Sequence, residues 1–489
     1  MPHPPTCTPA TWELPRSHSA SRLETAFVLN VFAVALLSYL LSVNITVGLL
    51  RTIFLAVAVV VGGTMLIRHL AVRLNDRRIE RLIGFYLLKL VATLAILFWG
   101  WVPDLHPTQA DSGYDPQRYY YQSADLLRPG HHEDLLSSNN YPGVLFYYAG
   151  IFALFGHNPA APALVNAFFT LLAVTTLVEA AYLVMPPNWS GWKVGLLMLL
   201  PEIVWYDALT SRETISMMLL VCGTVPLGML FISRRPNTTS AGRVATAISC
   251  LLLLGFIRTS MMLPAFLIIT TLFMLFGMKA RYRLWAVMLL MVAAALCWLA
   301  AYAMTKLRAF DFSYLAAWRI SRELTATDSI RWSDRSLGQL LVPQTPWQEV
   351  LFAPLRMVAY LMTPLPSITF DWQGLQNREW QDWQNFLTTI SSTIYIWYLP
   401  HLATVVWHSI TAPPRRRRLL VVGPAVIVLG TVAVGNVILT PRYRIMAVGF
   451  LWTTLCMFDG YNTREYLLLR ILWWAGLVVG LALFFQIKY

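Results

Sequence analysis

Residues 284–304 read LWAVMLLMVAAALCWLAAYAM, an apolar run that contains no charged residue. A helix of roughly 20 apolar residues is long enough to cross the hydrocarbon core of a bilayer. Similar runs recur along the 489-residue chain, of which 57% is hydrophobic and only 12% is charged. A lone strand would leave its backbone unpaired in lipid, so these runs predict helices. The chain is therefore predicted to be an all-α, polytopic transmembrane protein.

The spacing of these runs predicts about thirteen spans in a single transmembrane domain, residues 23–489. Residues 1–22 are polar and rich in proline, which predicts a disordered cytoplasmic tail rather than a cleavable signal. The basic loops RLNDRRIERL and PPRRRR are expected on the cytoplasmic side. Two long segments, residues 103–162 and 305–385, then lie outside. Each contains an apolar stretch too short for a span, which predicts an interfacial helix.

The charge and cysteine content exclude two other classes of protein. The net charge is +13, but the basic residues sit at the ends of spans, where they set orientation and meet anionic lipid. The five cysteines form no CxxC pair and no disulfide framework. We therefore expect membrane lipids as partners and no nucleic acid.

The first outer segment carries two aspartates, Asp111 and Asp115, ahead of the sequence PQRYYYQSADLL. This pattern predicts a helix that starts at or just after Asp115, with Pro116 in its first turn and the aspartate as its cap. A carboxylate at the membrane face can also act as a general base for an acceptor hydroxyl. The two roles do not exclude each other, and Asp111 is the second candidate for the base.

The residues Asp115, Arg118 and Tyr119 resemble the acidic-residue-then-tyrosine motif in the first outer loop of GT-C glycosyltransferases. The nearest subgroup is the family-39-like bacterial enzymes related to protein mannosyltransferases. The likeness extends to Asn140-Tyr141-Pro142-Gly143, Asn166, Pro201, Ser211-Arg212-Glu213 and Arg442-Tyr443-Arg444. Two features depart from the pattern. Pro116 stands where many relatives have a second acid, and two extra N-terminal spans precede the motif loop where relatives usually have one.

The resemblance implies a membrane enzyme that moves a sugar from a polyprenyl-phosphate donor to a glycan, lipid or protein acceptor, with inversion. The reaction takes place on the extracytoplasmic face of the cytoplasmic (inner) membrane. Asp115 or Asp111 would be the catalytic base. Glu213 and Asp207 are candidates for binding the acceptor or a metal, and substrate contacts are expected from Tyr119, Tyr141 and Tyr443. The cofactor is left open, with a divalent cation, Mg²⁺ or Mn²⁺, as the candidate.

Four arginines fall at the outer ends of predicted spans and are candidates for binding the donor phosphate: Arg442, Arg444, Arg258 and Arg212. The planar guanidinium group suits phosphate because it can donate two parallel hydrogen bonds. The competing interpretation is that these side chains reach out to lipid headgroups.

Two other clusters are assigned to simpler roles. The run His131-His132-Glu133-Asp134 is typical of a solvated loop more than of a metal site, because adjacent residues rarely converge on one ion. The tryptophans at 372, 380 and 383 can stack on sugar rings, but tryptophan is also the usual anchor at a membrane interface.

Two alternative functions remain open. An O-antigen-type polymerase would use an oligosaccharide on a polyprenyl diphosphate. A transporter or flippase for lipid-linked sugars would bury charges in mid-span and show an inverted repeat. The sequence shows no internal repeat, and Lys89, Glu179 and Glu202 are expected near span ends or alone.

Overall fold

A computed structural model describes residues 48–98, 115–128, 142–185, 191–233, 238–278, 346–363, 373, 380–435, 441–457 and 464–488. Several predictions lie outside the described residues: the cytoplasmic tail, the predicted spans at residues 24–43 and 284–304, Asp111, Tyr141, Trp372 and the cluster from His131 to Asp134.

The described residues form helices and turns and contain no strand, which confirms the predicted all-α class. Short 3-10 helices occupy Arg77–Glu80, Gly191–Leu199, Thr259–Met261 and Pro413–Arg418. The α-helices are α1 Gly48–Leu74, α2 Arg81–Phe98, α3 Asp115–Asp125, α4 Pro142–Phe155, α5 Ala160–Val184, α6 Pro201–Ala208, α7 Glu213–Ser233, α8 Thr238–Ile257, α9 Met262–Leu272, α10 Pro346–Met362, α11 Trp380–Thr411, α12 Leu419–Gly435, α13 Pro441–Cys456 and α14 Arg464–Lys488.

Among the described residues, helices of sufficient length and apolarity to cross a membrane occur in four places: Arg51–Leu74, Ala160–Val184, Glu213–Ile232 and Thr259–Gly277. The membrane character of the chain is thus supported, whereas the number of thirteen spans stays a prediction. The expected break near Arg258 is confirmed, because α8 ends at Ile257 and α9 begins at Met262.

The fifth predicted span is not one continuous α-helix. A 3-10 helix, Gly191–Leu199, precedes α6, and Leu200 between them has an extended ψ of 127°. The cause is Pro201, which has no N–H and pushes the residue before it out of the helical region.

The centre of the molecule is built from α5 and α7. In the apolar part of α7, 72% of the residues are buried, compared with 28% in Thr259–Gly277. On the outside, α1 exposes Val57, Val61, Met65 and Val72. In a bilayer such a face contacts acyl chains, so it does not carry the cost that it would have in water.

Side-chain contacts define two ends of the bundle. Near the start of α1, the Thr52 hydroxyl accepts a hydrogen bond from Asn158, which lies just before α5. Near the end of α1, Arg73 pairs with Glu179, which lies near the end of α5, and Arg243 of α8 pairs with the same carboxylate at 2.7 Å. The helices α1 and α5 are therefore parallel. Arg73, the first residue of the basic loop RLNDRRIERL, lies at the second of these ends.

Both predicted interfacial helices are present as short helices, α4 and α10. The start of α4 packs against the end of α8 so closely that a Cβ on Gly143 would lie 2.2 Å from the carbonyl oxygen of Phe256. Helix α10 exposes Leu351 and buries Arg356. Their position at the bilayer surface stays a prediction.

Candidate functional site

The site is formed where the first turn of α3 meets the first turn of α13. The Nη1 atom of Arg442 lies 3.0 Å from Oδ2 of Asp115, and these side chains are 30% and 44% exposed. The hydroxyl of Thr210 donates to the carbonyl oxygen of Pro116 and so ties the loop between α6 and α7 to α3. The Asp115 carboxylate accepts a hydrogen bond from Arg442, and its capping of α3 stays a prediction.

A small open cleft of about 230 Å³ lies beside this ion pair. Three lining residues, Pro116, Tyr206 and Ser211, were not predicted as site residues. Ser211 belongs to the motif Ser211-Arg212-Glu213. The lining residues are Asp115, Pro116, Tyr119, Tyr206, Ser211, Glu213 and Arg442.

Two guanidinium groups contact the ring of Tyr443 at the edge of the cleft. The Cζ atoms of Arg442 and Arg258 lie 5.1 Å and 5.8 Å from the ring centroid, within the range of cation–π attraction. Nη2 of Arg442 also donates to the Tyr443 hydroxyl at 3.3 Å. Nη1 of Arg258 lies 3.7 Å from Oε1 of Glu213, and both side chains are almost fully buried. Tyr443 is thus placed to orient both arginines.

Among the described residues, positive and negative groups are paired at the cleft. The guanidinium groups of Arg442 and Arg258 face the carboxylates of Asp115 and Glu213. Burial lowers the pKa of Arg258; the Glu213 carboxylate opposes this, while the charges of Arg212 and Arg442 add to it. A buried cation is costly unless it is paired.

The loop between α6 and α7 is held by buried polar groups on α4 and α5. The Asn166 amide donates to the carbonyl oxygen of Leu209 at 3.0 Å and accepts from the Tyr147 hydroxyl at 3.0 Å. The Tyr148 hydroxyl donates to the carbonyl oxygen of Ser211 at 2.5 Å. Asn166, which forms part of the family resemblance, thus serves to fix the loop that presents Ser211 to the cleft.

Asp207 does not line the cleft, although it had been predicted as an acceptor or metal ligand. Its carboxylate lies 2.5 Å from Nζ of Lys89, and both side chains are fully buried. The Thr170 hydroxyl donates to both carboxylate oxygens, at 3.1 Å and 2.9 Å. The expectation that Lys89 lies near a span end or alone was wrong, because this lysine is paired inside the bundle.

Arg444 also lies outside the cleft lining, in contrast to its predicted role as a phosphate ligand. It is fully buried, and its Nε lies 2.8 Å from Oε2 of Glu202. Its Nη atoms donate to the Thr388 carbonyl and the Ser392 hydroxyl of α11. These groups take up the hydrogen-bond donors of Arg444. Arg444 therefore holds helices together, and the proposed phosphate site does not include it. Glu202, expected near a span end or alone, is buried and paired here.

The described residues contain no group of three histidine, cysteine or acidic side chains that could hold a metal ion. The two carboxylates at the cleft, Asp115 and Glu213, each face an arginine. The divalent cation, Mg²⁺ or Mn²⁺, therefore stays a prediction, and no step of the mechanism below uses it.

Comparison with protein-family models, with curated proteins and with solved structures finds no match for this chain. The GT-C resemblance thus stands on the sequence motifs alone.

Proposed function

We propose that this protein is a membrane glycosyltransferase of the GT-C type. It would move a sugar from a polyprenyl phosphate to a glycan, lipid or protein acceptor, as in the biosynthesis of cell-envelope polysaccharides. The observation that carries the proposal is the cleft that Asp115 and Arg442 line together, with the buried Arg258 close by. Glycosyl transfer from a phosphate needs these two elements, a base for the acceptor and cations for the leaving group.

In this mechanism Asp115 accepts the proton of the acceptor hydroxyl as its oxygen bonds to the anomeric carbon. The bond from that carbon to the phosphate oxygen breaks, and its electron pair leaves with the phosphate. Arg442 holds the phosphate, supported by the charges of Arg258 and Arg212. Attack on the face opposite the leaving group inverts the anomeric centre, through a transition state resembling that of glycoside hydrolysis.

The remaining residues would bind rather than react. Tyr119 and Tyr206 line the cleft with aromatic surface, on which a sugar ring can pack. Glu213 would accept a hydrogen bond from the acceptor or the sugar. In the proposed topology of thirteen spans, the cleft opens on the extracytoplasmic face of the inner membrane, and the lipid tail of the donor stays in the bilayer.

Replacement of Asp115 tests the base. We expect Asp115→Asn to lower sugar transfer by about 10²- to 10⁴-fold, the usual contribution of a general base. The assay uses purified full-length protein in lipid nanodiscs, radiolabelled polyprenyl-phosphate sugars and a membrane extract as acceptor. The matched control is Asp125→Asn at the other end of α3, where the side chain is 39% exposed and pairs with Arg128. Full transfer by Asp115→Asn would remove Asp115 from the role of base.

The same assay separates the proposal from the polymerase alternative. Transfer from a monosaccharide on a polyprenyl monophosphate supports the proposed function. Transfer only from an oligosaccharide on a polyprenyl diphosphate indicates the polymerase instead.

A second candidate, a transporter or flippase for lipid-linked sugars, is favoured by one observation. The pairs Lys89–Asp207 and Arg444–Glu202 bury charges inside the bundle, as transport proteins do. However, each pair is bonded to further protein groups, which suits a static role. Movement of labelled donor across proteoliposome membranes without any transfer to an acceptor would indicate this second function.

A further inference from the structure

The hydrogen bonds of Arg442 raise a question about the order of events in the cleft. Its Nη1 donates to Asp115 and its Nη2 to the Tyr443 hydroxyl. The guanidinium is also held against the Tyr443 ring, with Cζ at 5.1 Å from the centroid. The edge of Arg442 that faces the cleft is therefore the edge that the Asp115 carboxylate contacts.

A phosphate in the cleft would need the same edge of Arg442. Carboxylate and phosphate both accept charge-assisted hydrogen bonds from guanidinium groups, with similar geometry. Arg258 is buried beside Glu213, and Arg444 forms an ion pair with Glu202. Among the described arginines that line the cleft, Arg442 is the one available to an entering anion.

The ion pair Asp115–Arg442 is easier to break than the ion pair Glu213–Arg258. Its side chains are 44% and 30% exposed, whereas those of Glu213 and Arg258 are 7% and 4% exposed. An exposed ion pair is weak because water screens the charges and long side chains lose freedom on pairing. The donor phosphate is a diester with one negative charge, like the carboxylate, and its two unesterified oxygens can take the place of Asp115 on Arg442.

We infer that Asp115 and the donor phosphate compete for Arg442, so that phosphate binding releases the base. This inference rests on the proposed function and adds an order of steps, in which the donor binds before the acceptor is activated. Before the donor binds, the Asp115 carboxylate is held by Arg442 rather than by an acceptor hydroxyl. Once the phosphate occupies Arg442, the carboxylate is free to turn to the acceptor hydroxyl. The acceptor is thus activated only when a sugar donor is in place.

A binding experiment without any sugar transfer tests this competition. Farnesyl phosphate is titrated into the detergent-purified full-length protein, and farnesol serves as the control for the lipid tail. We expect Asp115→Asn to bind farnesyl phosphate about threefold to tenfold more tightly than the wild type, because removal of a competing state raises the apparent affinity. Asp125→Asn removes the same charge from the same helix away from the cleft and should bind like the wild type.

A double-mutant cycle distinguishes competition from general charge repulsion. If the two anions compete for Arg442, the gain from Asp115→Asn disappears in an Arg442→Ala background. A gain that persists in that background reflects long-range repulsion and overturns the inference. If Arg442→Ala does not fold, Arg442→Gln takes its place in the cycle, and size-exclusion profiles check each variant.

The outcomes also separate the inference from the proposed function. If Arg442→Ala weakens binding of farnesyl phosphate but Asp115→Asn leaves it unchanged, the competition is overturned while the phosphate site stands. If the wild type binds farnesyl phosphate no better than farnesol, the phosphate site fails, and the proposed function fails with it.

Discussion

At the residue scale, Arg442 and Arg444 show how two neighbouring charges reach different parts of the molecule. Both lie in the first turn of α13. Two residues along an α-helix are about 200° apart around its axis, so their side chains point to opposite sides. Arg442 faces Asp115 in the cleft, and Arg444 faces Glu202 inside the bundle.

The buried pair Lys89–Asp207 leads to a prediction about stability. Lys89→Met leaves the Asp207 carboxylate buried without its cation, and we expect a loss of about 3–5 kcal/mol. Thermal unfolding of the detergent-purified protein, followed by circular dichroism, measures the effect. The double variant Lys89→Met/Asp207→Asn removes both charges and should recover most of the loss. The exposed partner pair Arg128–Asp125 supplies the control, since Arg128→Met should leave the melting temperature unchanged. A single Lys89→Met variant as stable as the wild type would contradict the assignment.

At the element scale, the contact between α4 and α8 sets the position of Arg258. This arginine follows directly after α8, and the end of α8 packs on Gly143 at the start of α4. The sequence marked Pro142 and Gly143 as part of a motif. The structure supplies a physical reason for the glycine, which is that only a residue without a side chain allows this approach.

Gly143→Ala is therefore expected to destabilise the protein. The added Cβ would lie 2.2 Å from the Phe256 carbonyl oxygen, so the helices must separate, and such overpacking costs about 1–3 kcal/mol. Gly150→Ala in the same helix is the matched control, because a Cβ there has no neighbouring atom within 4 Å. Alanine favours a helix by up to about 1 kcal/mol over glycine, so Gly150→Ala should hold or raise the melting temperature. Equal melting temperatures for the two variants would show that the close approach does not matter.

At the scale of the whole molecule, the two ends of the bundle carry different chemistry. The cleft of Asp115 and Arg442 lies at one end, and the cluster of Arg73, Glu179 and Arg243 lies at the other. The distribution of basic loops predicts that the second end is cytoplasmic.

Cysteine labelling of spheroplasts tests this orientation. The five native cysteines are first replaced by alanine. Single cysteines are then introduced as Asp125→Cys in α3, outside the cleft but at the same end of the bundle, or as Arg78→Cys at the other end. The original side chains are 39% and 46% exposed. A membrane-impermeant maleimide should label Asp125→Cys in intact spheroplasts and Arg78→Cys only after permeabilisation. The reverse pattern would place the cleft on the cytoplasmic face and contradict the proposed topology.

The helical class and the break at Arg258 could be predicted from the sequence alone, and the structure confirms both. These features depend on local properties, namely runs of apolar residues, prolines and charges at the ends of runs. The sequence also predicted four site residues that the structure brings to one cleft: Asp115, Tyr119, Glu213 and Arg442.

Only the tertiary structure decided which charges pair and which residues line the cleft. It joined Lys89 to Asp207 and Arg444 to Glu202, and it added Tyr206 and Ser211 to the site. The reason is that the direction in which a side chain points depends on the rotation of its helix against its neighbours. That rotation is set by contacts between residues far apart in the chain, such as Gly143 with Phe256, and no local pattern records it.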